Sequence, residues 1–187
     1  MPDDSYKRVL DRADAWFAGV LREQPQNLKC GRGCSLCCHG LFEICSGDIP
    51  LLADGLAAAH PARRKAVIRR AVEIVAASQH PNLRECSSTE KDAFFDRTSS
   101  TACPCLNDQG ACVLYEYRPL VCRTFGVPLR NGDEFMDEVC DLNFTEATPA
   151  EARAAAWDLQ WEDELGPEDQ FSIPEAIVLI ARLRGWL

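Results

Sequence analysis

A chain of 187 residues, 47% hydrophobic and 26% charged, can bury an ordinary core and does not need a metal to supply all of its folding energy. Its formal net charge of −9 argues against direct binding to DNA or RNA, whose phosphates call for a basic face. The basic clusters, Arg63-Arg64-Lys65 and Arg69-Arg70, read as a solvated helix face that could still touch an acidic partner.

The opening Met1-Pro2-Asp3-Asp4 is acidic, with no secretory signal in view. The longest apolar run, Ala176 to Ala181, is too short to span a bilayer. A cytoplasmic protein with no membrane association is expected. Residues 5–23 then form an amphipathic helix, with Tyr6, Val9, Leu10, Ala13, Trp16, Phe17, Val20 and Leu21 at helical spacing and Ser5 as a cap. Trp16 and Phe17 are expected in the core.

Residues 27–45 are different: Gly31, Gly33 and Gly40 stand among five cysteines. Glycine lets a backbone wrap closely around a bound centre. Short and longer helices are expected at 48–58 and 61–77, the second with Val67, Ile68, Ala71, Val72 and Val75 inward. Residues 79–111 read as loop around one helix at 89–97. Asn131-Gly132, between Phe125–Arg130 and Glu134–Val139, signals a hairpin. Thr148-Pro149-Ala150-Glu151 and Ser172-Ile173-Pro174-Glu175 are helix starts, predicting helices at 149–165 and 173–185. Trp157, Trp161 and Trp186 are read as packing residues.

The expected fold is mainly α, a single small domain with irregular cysteine-rich loops and one short β-hairpin. Its expected parts are an N-terminal helix (1–26), a cysteine-cluster metal-binding domain (27–145) and a helical pair packed on it (146–187).

Cytosolic thiols stay reduced, so eleven cysteines in that setting favour metal or catalysis over disulfides. Cys30, Cys34, Cys37 and Cys38 form one cluster; Cys103, Cys112, Cys122 and Cys140 form a second. Cys45, Cys86 and Cys105 are left over. Thiolates suit zinc, copper(I) or the iron of iron–sulfur clusters. The trio Cys30, Cys34 and Cys37 can supply three thiolates from one turn of chain, a spacing also found in radical-SAM enzymes. The chain is too short for their barrel, and Leu36 stands where they carry an aromatic. Adjacent Cys37 and Cys38 are awkward ligands for one ion, which leaves one centre or two open. His39 could complete a zinc site or be a polar loop residue, the reading we favour. His60 and His80, each before a proline, are read as surface residues.

Cys30-Gly31-Arg32-Gly33-Cys34-Ser35-Leu36-Cys37-Cys38 resembles the signature of the YkgJ-type cysteine-cluster family, described as zinc- or iron-chelating. Cys103-Pro104-Cys105-Leu106, Gly110-Ala111-Cys112, and Tyr115 through Phe125 with its Arg118-Pro119-Leu120-Val121-Cys122-Arg123 core are similar to that family's second block. The likeness covers about 30–140 and implies eight metal ligands: Cys30, Cys34, Cys37, Cys38, Cys103, Cys112, Cys122 and Cys140. Cys105 falls outside that set. A related signature in flagellin-lysine methylases, which look like iron–sulfur proteins, tilts the expected cofactor toward an iron–sulfur cluster over zinc. Arg118 and Arg123 flank Cys122 and are read either as offsetting thiolate charge at the cofactor or as partners of Glu116 or another carboxylate.

The expected function is a metal-binding protein with a structural, sensing or metal-handling role. The alternative is an iron–sulfur- or zinc-dependent enzyme of unknown reaction, resembling the lysine methylases. A thiol oxidoreductase using Cys34-Ser35-Leu36-Cys37 ranks last, for want of a βαβ pattern. No nucleophile–base pair, phosphate loop or metalloprotease motif is visible. The two cysteine blocks are expected to meet in space.

Overall fold

The structure is a computed structural model and describes residues 4–137, 139–165 and 169–187. The fold is mainly α with a few short strands, as the sequence predicts. The chain divides into two compact units.

The first unit comprises Arg32–Pro119 and Glu168–Leu187. Its helices are α2 (Asp48–Ala58), α3 (Pro61–Ala77), α4 (Ser88–Arg97) and α7 (Ile173–Leu183). α7 is apolar on most sides, burying Ile173, Pro174, Ala176, Ile177, Val178, Ile180 and Ala181. α2 and α3 both pack on it. β1 (Glu43–Cys45) pairs antiparallel with β5 (Gln170–Ser172), with Ile44 opposite Phe171. Leu41, Leu83 and Phe94 form a buried cluster backed by Ile74 and Phe95. α4 starts at a reciprocal capping box between Ser87 and Glu90, the arrangement that satisfies orphan N–H groups.

Two readings of this unit need correction. Val72 is 37% exposed, because on α3 only Val67, Ile68 and Ala71 are buried. His80 is half-buried rather than a surface residue. Its Nε2 lies 2.6 Å from Ser172 Oγ and its ring meets Phe94 edge-on. His60 is exposed, and its ring nitrogen accepts from Ala62 N–H as the cap of α3.

The second unit comprises Pro2–Gly31 and Leu120–Pro167. It holds α1 (Asp4–Glu23), the short α5 (Val121–Thr124) and α6 (Pro149–Ala154). Its sheet has the order β3-β2-β4. β2 (Leu129–Asn131) and β3 (Glu134–Met136) are the predicted hairpin, closed with Asn131 opposite Glu134. Gly132 in the turn has φ +59°, the left-handed conformation that such tight hairpins require.

The helix expected at 149–165 stops at Ala154. Trp157 leaves it for β4 (Trp157–Asp158), parallel to β2, and its backbone N–H donates to Pro128 O at 2.9 Å. There the indole is fully buried between Trp16 and Trp161, and its Nε1–H donates to Glu162 Oε1 at 2.7 Å. A large ring that buries both its face and its N–H outweighs the helical preference of the alanines before it. Trp16 and Phe17 are only half-buried. The core of α1 is Tyr6, Val9, Leu10, Ala13 and Val20.

Gly55, in the middle of α2, lies directly against the Tyr117 side chain. A Cβ there would stand 2.7 Å from Tyr117 Cβ. Gly55→Ala gains up to about 1 kcal/mol of helix propensity but forces a clash that typically costs about 1–3 kcal/mol. We predict a net loss of stability, read as a lower melting temperature. A stabilised Gly55→Ala protein would contradict this packing.

Candidate metal-binding site

In the first unit two cysteine-bearing loops lie side by side. The first turns through Gly33 and Gly40, with φ of +91° and +120°, around a 3-10 turn at Leu36–Cys38. At Gly40 a Cβ would come within 3.2 Å of Ser99 O, so the glycine is what permits the approach. The second loop meets it through backbone pairing. Gly40 N–H donates to Thr101 O at 2.8 Å, Cys103 N–H donates to Cys38 O at 2.8 Å, and His39 bridges Ala102 antiparallel. His39 itself is exposed.

From Cys103 the chain folds back on itself. Asn107 Oδ1 accepts from the N–H groups of Gln109 and Ala111, both at 2.9 Å. Gly110 takes φ +72°. This side-chain-made turn lets Leu106 bridge Cys112 and Val113 N–H donate to Cys105 O. Cys103, Cys105 and Cys112 are thereby gathered from ten residues of chain.

The thiols influence one another. Hydrogen bonding to Cys38, then burial and the Cys38 charge, push Cys37 far above an ordinary thiol; Arg118 acts the other way. Burial first, then the charge of Cys103, pushes Cys112 up to about 11 against the pull of Arg118 and Arg32. Cys103 is lowered, chiefly by the hydrogen bond from the buried Cys105 thiol, with help from the Cys105 backbone and Arg70. Arg118 is thus close enough to favour negative charge on both Cys37 and Cys112. Its guanidinium lies 3.8 Å from the centre of the Tyr115 ring, and Arg32 lies 4.6 Å from the same centre. Arg32 also pairs with Glu116.

The second unit holds Cys30, Cys122 and Cys140. Asn143, 1% exposed, organises two of them. Its Nδ2 donates to Gly126 O at 2.7 Å and to Cys30 Sγ at 3.1 Å; its Oδ1 accepts from Lys29 N–H at 2.9 Å. Its backbone N–H donates to Cys140 O at 2.8 Å. Gly126, at φ +79°, brings Cys140 so near that a Cβ would stand 2.8 Å from Cys140 Cβ. Cys122 sits on α5, which packs on α1, and the neighbouring Arg123 pairs with Asp14 of α1.

Neither Asn143 nor Gly126 stands out in the sequence. The available signal was an asparagine three residues beyond Cys140, and a glycine closing the Tyr115–Phe125 block. Of the leftover cysteines, Cys45 points its thiol at Asp48 Oδ2 (3.4 Å) and Cys86 at Asn82 O (3.3 Å). Among the described residues, no three or more His, Cys, Asp or Glu side chains stand together as a ready-made metal site. The donors are nonetheless thiols, most of them half-buried and none in a disulfide, which is the chemistry soft metals take.

A mainly helical chain with free cysteines gathered in large part on short glycine-bearing loops defines a class of cysteine-cluster proteins. The particular family follows from its sequence model: residues 29–141 match CxxCxxCC, described as "Putative zinc- or iron-chelating domain". The match takes in more than half of the chain, and the chain belongs to this family. No curated protein and no solved structure matches it. Among the described residues, no helix is long and apolar enough to cross a membrane.

Asn143→Ala removes donors and an acceptor from a buried hub. We predict a loss of about 1–3 kcal/mol, read by denaturant unfolding. Faster alkylation of Cys30 should accompany it, with Cys45 unchanged. Unaltered Cys30 reactivity would show that the amide does not hold that thiol.

Proposed function

We propose that this protein holds a metal centre through clustered thiolates, with Cys34, Cys37, Cys38, Cys103 and Cys112 as the first unit's ligand pool. Cys30, Cys122 and Cys140 form the pool of the second. The observation that carries the proposal is the backbone pairing of 38–40 with 101–103, which sets two cysteine loops against each other. Five thiols on two paired loops exceed the needs of a folding core, and a soft metal accounts for them. The side chains close on the metal as it binds, so binding free energy adds to folding free energy.

An iron–sulfur cluster is the preferred occupant and zinc the alternative. Three thiolates from a short turn plus others from a facing loop suit a cluster, whose ligands stand farther apart than those of one ion. Arg118 offsets the surplus negative charge from its place on Tyr115. Arg123, paired with Asp14, has a structural role as well as any electrostatic one. Such a centre serves structure, sensing or metal handling. An enzyme built on it would need an open coordination position.

Anaerobic purification followed by absorption spectroscopy and elemental analysis separates the two occupants. Iron with sulfide and a broad visible band supports the cluster; colourless protein with stoichiometric zinc supports the other. Protein without either metal, even after anaerobic reconstitution, rejects the proposal.

Two further outcomes are expected. Serine at Cys34, Cys37 or Cys122 should lower bound metal sharply, since a hydroxyl is a poor soft-metal ligand. Serine at Cys45 or Cys86 should leave it unchanged, and equal loss at Cys86 and Cys34 would show the ligands wrongly divided. Chelation should also raise hydrogen exchange in 34–40 and 101–112 together while α1 stays protected. Deprotection of the first loop alone would remove Cys103 and Cys112 from the centre.

A further inference from the structure

The basic sequence clusters have no part in the thiol site. They fall on α3, which carries five cations, Arg63, Arg64, Lys65, Arg69 and Arg70, against the single carboxylate of Glu73. This is a local reversal of sign in a chain of net charge −9. Beside α3 runs a groove of about 680 Å³. Its floor is apolar, made by Ile68, Val72, Trp186 and Leu187. Val72 is 37% and Leu187 60% exposed. Its rim is basic: Arg64, Lys65 and Arg69 line it, and Glu73, 3.7 Å from Arg69, is the carboxylate there. Arg64 holds its guanidinium 4.4 Å from the centre of the Trp186 ring, which fixes a cation at the edge of the apolar floor. The N-terminal end of α3 opens onto the same groove at Pro61, so the helix dipole adds to the positive potential.

We propose that this groove docks a peptide segment of a partner protein that carries acidic residues around an apolar anchor. Charge complementarity selects the sign: Arg64 and Lys65, beside the Arg69–Glu73 pair, and a helix N-terminus face a partner that must supply carboxylates. The exposed valine and leucine beside a partly covered tryptophan select the anchor, since apolar side chains filling a concavity are what concentrate binding energy. The shape decides against the other polyanions. A bilayer surface cannot fill a concave groove, and a nucleic-acid backbone gains nothing from a floor of isoleucine, valine and leucine. Recognition of this type fits an amphipathic segment laid into a groove, with an on-rate that falls as salt screens the rim.

The test begins with random dodecapeptides on phage, selected against the immobilised full-length chain. An enriched peptide is then labelled with fluorescein and titrated by anisotropy. Enriched sequences should be net acidic with one or more large apolar residues. Binding should weaken as salt rises. The double variant Arg64→Glu with Lys65→Glu should weaken it about tenfold or more, the loss expected of central interface residues. Val72→Asp should do the same through the floor, with melting temperature and metal content unchanged in both. Several results overturn the proposal: no enrichment, enrichment of neutral or basic peptides, or binding indifferent to both variants. It also falls if the groove variants instead abolish binding to phosphatidylserine vesicles or to a single-stranded oligonucleotide, or disperse a dimer seen by sedimentation, with no acidic peptide bound.

Discussion

The hydrogen bond from Cys103 N–H to Cys38 O is the contact on which the first unit's thiol cluster depends. Side chains of cysteine are short, so thiols separated by sixty-odd residues can meet only if their backbones do. Backbone pairing supplies that approach with geometry that does not depend on the thiols' protonation. Gly40 and Gly110 let the two loops close, and Asn107 shapes the turn that returns Cys112 to Cys103. Helices α2, α3 and α7 sit behind this irregular backbone as a conventional apolar core, so the loops need not supply one.

The cluster is also held against electrostatic cost. Hydrogen bonding to Cys38, then burial and the Cys38 charge, push the Cys37 thiol upward, and burial and the Cys103 charge push Cys112. The guanidiniums of Arg118 and Arg32 oppose that push from the face of Tyr115. Stacking on the ring fixes the plane of each guanidinium, and Arg32 is held in addition by its pair with Glu116. Cys105 is the unexpected member of the group. Set aside as an extra by its family resemblance, it is buried beside Cys103 and stabilises that thiolate by hydrogen bonding. In the second unit the corresponding organiser is neutral: the Asn143 amide divides its hydrogen bonds between backbone and Cys30 sulfur.

Much of this was legible in the residues. Apolar spacing placed α1 and α3, because each buries one stripe against a core. Thr148 and Ser172 marked true helix starts, because a cap acts within a few residues. Asn131-Gly132 marked a true hairpin for the same reason. The CxxCxxCC signature and its second block carried the family, since cysteine spacing along the chain is itself the motif. What failed were particular placements that a distant partner decided. The helix after Thr148 ends early because Trp157 is taken into a sheet edge beside β2. Trp16 and Phe17 have helical spacing but share their packing with a cluster that leaves them partly open. His80 becomes half-buried because Ser172, far along the chain, lies against it.

The sequence alone therefore determined the helical class, the capped helix starts and the family, since propensity, capping and spacing are local. It could not decide which thiols share a unit. That division, with Cys34, Cys37, Cys38, Cys103 and Cys112 in one unit and Cys30, Cys122 and Cys140 in the other, arises from tertiary packing. It rests on hydrogen bonds between backbone segments remote in the chain, which leave no periodicity and no composition for a sequence reader to find.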